Sequence, residues 1–410
     1  MKRIIIHSDL NNFYASVECL KKPWLKSVPT AVAGDAEKRH GIILAKNIFA
    51  ASFGICTGEP IWSAKQKCSD LILVPPNFDD YIIISQQVRK IYEEYSNYVE
   101  AFGIDECWID ISEIAQNFQE GKTIADEIRK KISERIGITA SCGVSFNKVF
   151  AKLASDIKKP DATTVIDYEN YKHTAWGLPA DSLLYVGRST KKALTRLNIR
   201  TIGDIAKTDV RALEFMLGKN GTVLWNNANG FDMSPVSHKD IHSAVKSVGN
   251  SMTAAHDLTD DDEIKIILFA LCETVSARLR KLRLVCGAVQ IHIKDSDFNT
   301  YERQISLDFP NRTVSSLFGA SFELYNANNL SARPIRALGV RAINLKDESS
   351  EQISIHSAMD KAQKFEYLDL TADKIRERFG SSALKRGIML TDAILSRTQI
   401  KEEKCSFMKI

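Results

Sequence analysis

Acidic side chains stand at two places in the sequence where their neighbours are apolar. Asp9 comes three residues after the apolar run Ile4 to Ile6, and Asp105 and Glu106 stand together in the otherwise apolar stretch from Ala101 to Ile111. An aspartate after a strand most commonly caps the next helix, and adjacent acids can lie at a surface edge. Acids left unpaired in a buried strand, however, carry a large free-energy penalty. Clustered carboxylates bind a hard cation such as Mg2+, and a pair of such ions supports phosphoryl or nucleotidyl transfer.

The patterns around these acids predict a fold that brings them together. Ile4 to Ile6 predicts a buried strand, and a helix follows it. The later elements are a helix at 81–95, a hairpin strand at 102–112, a helix at 123–136 and a strand at 139–144. The order βαββαβ is that of a ferredoxin-like sheet, whose first strand lies beside the hairpin strand, so Asp9 and Asp105 can meet. Because adjacent strand residues face opposite ways, Asp105 and Glu106 share a site only if the backbone bends, and Gly103 is where the bend can begin.

The remaining patterns predict an α+β protein of several domains. Residues 22–76 are rich in Pro and Gly and predict a small inserted subdomain. Residues 183–205 resemble a basic helix-hairpin-helix, and residues 244–345 alternate between strands and helices as a second α/β domain. After Lys346 the composition becomes polar, which predicts a loosely attached tail.

Composition narrows the class of protein. A chain of 410 residues is long enough for two to four domains, and its 44% of hydrophobic and 26% of charged residues are typical of a soluble globular protein. The longest apolar runs are far shorter than the ~20 residues of a membrane span, and no secretory signal pattern is present, so we expect a cytoplasmic protein. The 8 cysteines include no close pair of the zinc-ribbon kind and are interpreted as free thiols.

Two clusters of basic residues stand out against a modest net charge of +4. They are Arg188, Lys191, Lys192, Arg196 and Arg200 in the first cluster, and Arg278, Arg280, Lys281, Arg283 and Lys294 in the second. Together they predict a path lined for the phosphates of a nucleic acid. The alternative for either cluster alone is a solvated helix face.

Three motifs, in order and at matching spacing, resemble those of the Y-family DNA polymerases. The first runs from His7 to Glu18 and reads HSDLNNFYASVE. The second, Gly103 to Asp110, is similar to the family's Ser-Ile-Asp-Glu-Ala-Tyr-Leu-Asp segment, and the third spans Ser141 to Lys148 and continues to Lys158-Lys159-Pro160. The resemblance covers about the first 345 residues and is nearest to the bacterial members of the family.

This resemblance implies a template-directed, low-fidelity, lesion-bypassing DNA polymerase. Such an enzyme adds dNTPs to a primer 3′-hydroxyl with two Mg2+ ions in each active site, and its partners are primer-template DNA and dNTP. The implied domains are a palm at 1–12 and 77–168, fingers at 13–76, a thumb at 169–235, a linker at 236–243, a little finger at 244–346 and a C-terminal tail at 347–410.

Metal-binding roles follow from the resemblance, residue by residue. Asp9 and Asp105 would contact both metals, Glu106 would hold the catalytic one, and the Leu10 carbonyl would reach the nucleotide-bound one.

The nucleotide-binding roles follow in the same way. Phe13 and Tyr14 would lie under the incoming sugar, with the Tyr14 ring standing where a ribose 2′-hydroxyl would project. Helix packing is the alternative role for both rings. Lys159 would pair with the triphosphate, a contact for which a point charge is enough.

The sequence also departs from the family pattern. Ile48 and Ala51 stand where the family usually has a tyrosine and an arginine that grip the triphosphate, and Asn11 replaces a commonly acidic residue. These departures favour weakened nucleotide binding. One alternative function is therefore a polymerase-like DNA-binding scaffold with weak or no catalysis. Another is a nucleotide cyclase, which can use a similar palm and two metals but would need neither a helix-hairpin-helix nor a long basic C-terminal domain.

Residues 352–356 resemble the peptide by which proteins bind a sliding clamp, Gln-Leu-x-Leu-Phe. Gln352 and Ile355 match the polar and apolar positions, whereas His356 stands where an aromatic anchor is usual. We expect weak clamp binding, and the alternative is a chance pentapeptide in a linker.

Overall fold

The computed structural model describes residues 3–35, 41–241, 244–327, 333–348, 358–380 and 383–390. Nearly all of these residues fall into two compact units, the first made of residues 3–34 and 42–241 and the second of the described residues from 244 onward. No helix within these ranges is both long enough and apolar enough to cross a membrane.

The first unit contains two sheets and the helices that cover them. Its strands are β1 (Ile5–Leu10), β2 (Thr30–Ala33), β3 (Ile43–Lys46), β4 (Ile72–Val74), β5 (Val99–Ala101), β6 (Glu106–Asp110), β7 (Ala140–Ser145) and β8 (Thr163–Ile166). Its helices are α1 (Phe13–Lys21), α2 (Ile48–Ser52), α3 (Ile61–Lys67), α4 (Phe78–Glu93), α5 (Phe118–Ile136), α6 (Lys148–Ile157), α7 (Tyr171–Ala175), α8 (Arg188–Arg196), α9 (Ile202–Lys207), α10 (Val210–Leu217) and α11 (Lys219–Ala228), with short 3-10 turns at Pro23–Ser27 and Ala180–Ser182.

The larger sheet has the strand order β5-β6-β1-β7-β8, in which β6 and β7 flank β1 and run antiparallel to it. The predicted ferredoxin-like fold is confirmed by this order, to which β8 adds a parallel edge strand. Strand β1 is buried along its whole length, and the apolar run that begins at Ile4 suits a strand covered on both faces. Ile4 and Ile6 lie in the core formed with α4 and α5, while Ile5 packs on the other face with Trp108 and Ala151.

Helix α6 lies directly on this second face. A Cβ at Gly143 of β7 would be 2.0 Å from the Ala151 carbonyl oxygen, so only glycine allows this approach. The Asn147 side chain begins the helix by accepting a hydrogen bond from the Phe150 N–H at 2.8 Å. The position of α6 over the sheet is therefore fixed by backbone contact.

Two smaller parts complete the first unit. Strands β3, β2 and β4 form a three-stranded sheet that packs on α2 and α3 around Ile43, Ile55 and Ile61. Helices α7 to α11 share a second core with apolar residues of α6. Within it, Thr201 and Asp204 form a reciprocal capping box that begins α9.

The second unit is a four-stranded antiparallel sheet with helices packed on it. Its elements are β9 (Val248–Leu258), α12 (Asp261–Lys281), β10 (Leu284–Asp295), β11 (Thr300–Asn311), α13 (Val314–Ala327), β12 (Ile335–Asp347) and α14 (Ala358–Phe379), followed by a 3-10 turn at Gly387–Leu390. The strand order is β11-β10-β12-β9. Helices α12 and α13 bury their apolar side chains against the sheet in one core.

Helix α14 corrects the expectation that the tail is loosely attached. Asp369 is 5% exposed, accepts a hydrogen bond from the Val314 N–H at 2.8 Å and lies 3.2 Å from the Arg386 guanidinium. Glu366 pairs with Arg312 at 2.8 Å. The charges of this helix suggested a solvated segment, but they pair with basic groups of the second unit instead.

Candidate active site

The sheet register places the first acidic residue against the acidic pair. Asp9 of β1 lies directly opposite Glu106 of β6, and the Leu10 N–H donates a hydrogen bond to the Asp105 carbonyl at 3.0 Å. Asp9 does not cap a helix, because α1 begins without a side-chain cap and a carboxylate oxygen of Asp9 faces a lysine. The structure thus gathers all three acids at one end of β1.

The chain bends between β5 and β6, as the adjacent acids require. The N–H groups of Phe102 and Gly103 both point to the Glu106 carbonyl, at 3.0 and 3.3 Å, and residues 102–105 lie outside the strands. A Cβ at Gly103 would be 3.2 Å from Oδ1 of Asp105, so a larger residue would crowd that carboxylate. Glycine here leaves room for the Asp105 side chain.

Lys159 bridges two carboxylates at this place. Its Nζ lies 2.8 Å from Oδ2 of Asp9 and 2.7 Å from Oδ1 of Asp156. Burial disfavours the ammonium, but the two carboxylates raise the pKa of Lys159 above its usual value. The lysine is therefore charged and lies beside the acidic cluster.

A second lysine, which the sequence motifs did not indicate, holds Glu106. The Nζ of Lys152, on α6, lies 2.8 Å from each oxygen of Glu106. On the same side, Nε2 of the fully buried His7 lies 3.8 Å from Oε2 of Glu106, too far for a hydrogen bond, while its Nδ1 lies 2.8 Å from the Ser155 hydroxyl.

The surroundings move the acid pKa values in opposite directions. Burial raises the pKa of Asp9 to about 7, although Lys159 opposes the rise. Burial and the charge of Glu106 raise the pKa of Asp105. Burial would raise the pKa of Glu106 as well, but His7 and Lys152 lower it well below its usual range. Crowded, partly desolvated carboxylates of this kind need positive charge nearby.

The donor set fits a hard divalent cation. Asp9, Asp105 and Glu106 supply carboxylate oxygens, and hard cations prefer oxygen ligands. Across the residues that the structure describes, no three His, Cys, Asp or Glu side chains form a ready-made metal cluster. Ammonium groups of Lys152 and Lys159 lie among these carboxylates, so a cation that binds them has to displace at least one ion pair.

The predicted sugar-binding aromatic residues lie at the start of α1. Phe13 is 3% exposed and packs in the core beneath the sheet, as the alternative role predicted for it requires. The half-buried Tyr14 ring stacks on Tyr81 with centroids 4.4 Å apart and meets Phe78 edge-on at 5.8 Å. Tyr81 in turn donates a hydrogen bond to Glu18 at 2.7 Å. Tyr14 is therefore held by an aromatic cluster.

Asn11 ties the turn that carries Lys159 to the sheet. Its amide oxygen accepts hydrogen bonds from the Asp161 N–H at 2.8 Å and the Thr139 hydroxyl at 3.1 Å, and its amide nitrogen donates to the Ser141 hydroxyl at 2.9 Å. An amide suits this place because it both donates and accepts. The departure from the family's acid thus has a structural role.

The two positions at which the sequence lacks the expected tyrosine and arginine lie on α2. Ile48 is 63% exposed, and Ala51 is also exposed. Neither side chain can provide a charge-assisted contact to a phosphate.

The two basic clusters have different environments. Members of the first cluster, Arg188 to Arg200, are exposed, although Lys191 pairs with Asp181 at 2.6 Å. In the second cluster Arg278 is 6% exposed and donates to the Gly249 carbonyl, and the Arg280 side chain is equally buried. The expectation that all of the second cluster lines a phosphate path is wrong for these two arginines.

The clamp-like segment, with Gln352 and Ile355, lies outside the described residues. Among the residues around the acidic cluster, sequence reasoning missed Lys152, His7 and Tyr81. Lys152 lies only four residues after Lys148 of the third motif, but its contact with Glu106 depends on how α6 packs on the sheet.

Comparisons with known proteins show which proteins this chain is similar to. The model of the impB/mucB/samB family matches residues 8–156, and the model of that family's C-terminal domain matches residues 245–355. A protein of Acetivibrio thermocellus named DNA polymerase IV is 48% identical over 398 residues, which cover 97% of this chain and 100% of the relative. Proteins of the same name from Bacillus velezensis and Clostridium acetobutylicum are 34% and 33% identical, and the matches cover 99% and 95% of this chain and 96% and 99% of the relatives.

A solved structure shares the fold. It is a chimaeric Y-family DNA polymerase, which matches with a TM-score of 0.74 over 84% of this chain and 99% of that chain, at 22% sequence identity.

Proposed function

The chain belongs to the impB/mucB/samB family of Y-family DNA polymerases, and on that basis we propose that Asp9, Asp105 and Glu106 are the carboxylates with which it transfers nucleotides. It is a template-directed translesion DNA polymerase whose substrates are DNA and nucleotides and whose activity depends on a divalent metal. The observation that carries the proposal is the register that sets Asp9 opposite Glu106 beside Asp105.

We assign the metal to Mg2+, two ions in each active site. The carboxylates of Asp9 and Asp105 would contact both ions, Glu106 would hold the catalytic one and the Leu10 carbonyl the nucleotide-bound one. Bound in this way, the ions would activate the primer 3′-hydroxyl and stabilise the leaving pyrophosphate. The bend at 102–105 supports this assignment, because it lets adjacent acids face one site.

On the same proposal, the ammonium of Lys159 would move from Asp9 to the incoming triphosphate. Its contact with Asp9 at 2.8 Å puts it at the edge of the acidic cluster, and the hydrogen bond from the Asp161 N–H to Asn11 fixes the turn that follows it. A triphosphate that draws Lys159 away leaves Asp9 free for metal. Phe13 and Tyr14 would contact the sugar, with the stack on Tyr81 holding the Tyr14 ring in place.

The same proposal assigns the domains. The palm is 1–12 and 77–168, the fingers 13–76, the thumb 169–235, the linker 236–243, the little finger 244–346 and the tail 347–410. The exposed basic residues of α8 support a DNA contact by the thumb. A cytoplasmic location suits a DNA substrate and stays a prediction.

A weak contact with a sliding clamp through residues 352–356 is also part of the proposal. It is supported by the partial match of Gln352 and Ile355 to the clamp peptide. Titration of a peptide of residues 348–360 against a clamp tests it, and binding that ignores Gln352→Ala would remove the assignment.

Primer extension separates this function from a DNA-binding scaffold. With Mg2+ and all four dNTPs we expect extension that follows the template, and in Glu106→Gln we expect extension to be lost while affinity for primer-template DNA stays close to that of the unchanged protein. A matched control is Glu100→Gln on the neighbouring strand β5, because Glu100 pairs with Lys148 and not with a residue of the cluster. Extension by Glu106→Gln at the rate of the unchanged protein would remove Glu106 from the site.

A further inference from the structure

Lys152 pairs with both carboxylate oxygens of Glu106 in the candidate active site. Its single ammonium nitrogen lies 2.8 Å from both carboxylate oxygens, and the two side chains are only 16% and 19% exposed. An ammonium equidistant from both oxygens occupies the side of the carboxylate to which a metal would bind. Charge-assisted hydrogen bonds in a partly desolvated place are the stronger kind.

The lysine is held there by more than its charge. It projects from α6, whose distance from the sheet is fixed by the contact of Gly143 with the Ala151 carbonyl. Its ammonium also lies 5.3 Å from the centre of the Phe102 ring, in the bend that precedes Glu106. Backbone and ring together aim Lys152 at Glu106.

The Lys152 side chain also borders a cavity into which its ammonium could move. A cavity of about 490 Å3 lies between α6 and residues 181–187, and Lys152, Asp156, Asp181 and Tyr185 are among its lining residues. A lysine displaced from Glu106 has room in this cavity, where it would share Asp156 with Lys159 or Asp181 with Lys191.

From this geometry we propose that Lys152 is an internal counter-ion that competes with the catalytic metal for Glu106. It sets how tightly the free enzyme binds divalent metal and holds the Glu106 side chain in position at the site. The inference rests on the proposed role of Glu106 as a metal ligand. Because a metal has to displace the ammonium, removal of the lysine charge strengthens metal binding.

Titration of the full-length protein with Mn2+ in the absence of DNA measures this competition, with free Mn2+ followed by electron paramagnetic resonance. For Lys152→Met we expect a dissociation constant roughly tenfold lower than that of the unchanged protein, since one charge-assisted pair no longer has to be broken. Lys152→Arg keeps the charge and should bind Mn2+ as the unchanged protein does. A second neutral variant, Lys152→Gln, and the thermal unfolding midpoint of each protein guard against a folding defect.

Two further variants give the controls. Lys148→Met removes a lysine one turn earlier on α6 that pairs with Glu100 at 2.6 Å, away from the acidic cluster, and should leave Mn2+ affinity unchanged. Glu106→Gln should weaken Mn2+ binding. If Glu106→Gln weakens binding while both neutral Lys152 variants bind Mn2+ no more tightly than the unchanged protein, the counter-ion role is wrong and the metal site stands. Unchanged affinity in Glu106→Gln would overturn the metal site and the counter-ion role together.

Discussion

The position of the Tyr14 ring is fixed by its immediate neighbours. Its ring is stacked on Tyr81 and bordered by Phe78, and Tyr81 is fixed by its hydrogen bond to Glu18. Such a ring cannot easily move away from a group that approaches it, because each aromatic contact contributes ~0.5 to 1.5 kcal/mol. In the proposed site, a ring held in this way beside the incoming sugar would exclude a 2′-hydroxyl.

We predict that Tyr14→Ala admits ribonucleotides. The expected change is a rise in kcat/KM for ribonucleotides relative to deoxynucleotides, because the group that would collide with the 2′-hydroxyl is gone. Tyr81→Phe is a matched control that removes only the hydroxyl bonded to Glu18 and keeps the stack. Should the ratio for Tyr14→Ala equal that of the unchanged protein, Tyr14 serves packing alone.

At the residue scale, the sequence predicted the three acids of the candidate site but not the basic residues that pair with them. Asp9, Asp105 and Glu106 stand in motifs that can be read locally, and the fold brings them together. Lys152 shows no such signal, since its contact with Glu106 arises only when α6 packs across the sheet. For Arg280 the sequence made a prediction that the structure does not support. Its place among basic residues predicted a phosphate contact, but the folded chain buries it beside acids of α14.

At the scale of elements, helix α14 is attached through charge. Its inward residues are acidic, with Asp369 between Arg280 and Arg386 and Asp373 at 2.6 Å from Arg280. Apolar residues of the same helix, including Leu368 at 62% exposure, face outward. A hydrophobic pattern could not predict the orientation of this helix, because its docked side is the polar one.

We predict that Asp369→Ala destabilises the second unit by roughly 3 kcal/mol, the usual cost of removing one partner from a buried ion pair. The loss leaves Arg280 with one carboxylate fewer and the Val314 N–H without its acceptor. Glu377→Ala, an exposed acid on the same helix, should change the free energy of unfolding by less than about 0.5 kcal/mol. Urea unfolding of the full chain measures both, and equal effects would show that α14 does not depend on this ion pair.

At the scale of the whole molecule, the order of the strands could be predicted from the sequence, but the ion pairs that join distant segments could not. The order βαββαβ follows from local periodicity and gives the sheet that carries the acids, as the observed order β5-β6-β1-β7 confirms. The bend at 102–105 could also be anticipated, because two adjacent strand residues cannot otherwise share a site. Ion pairs between distant segments, such as Arg312 with Glu366, have no local pattern and were found only in the structure.

Anomalous X-ray scattering from Mn2+ tests the central claim most directly. Crystals of the protein with primer-template DNA, a non-hydrolysable dNTP analogue and Mn2+ should show two anomalous peaks about 3.5–4 Å apart. Both peaks should contact Asp9 and Asp105, one of them should contact Glu106, and the Lys152 ammonium should no longer bridge the Glu106 oxygens. Peaks bound only to the nucleotide, or to residues other than these three carboxylates, would contradict the proposed site.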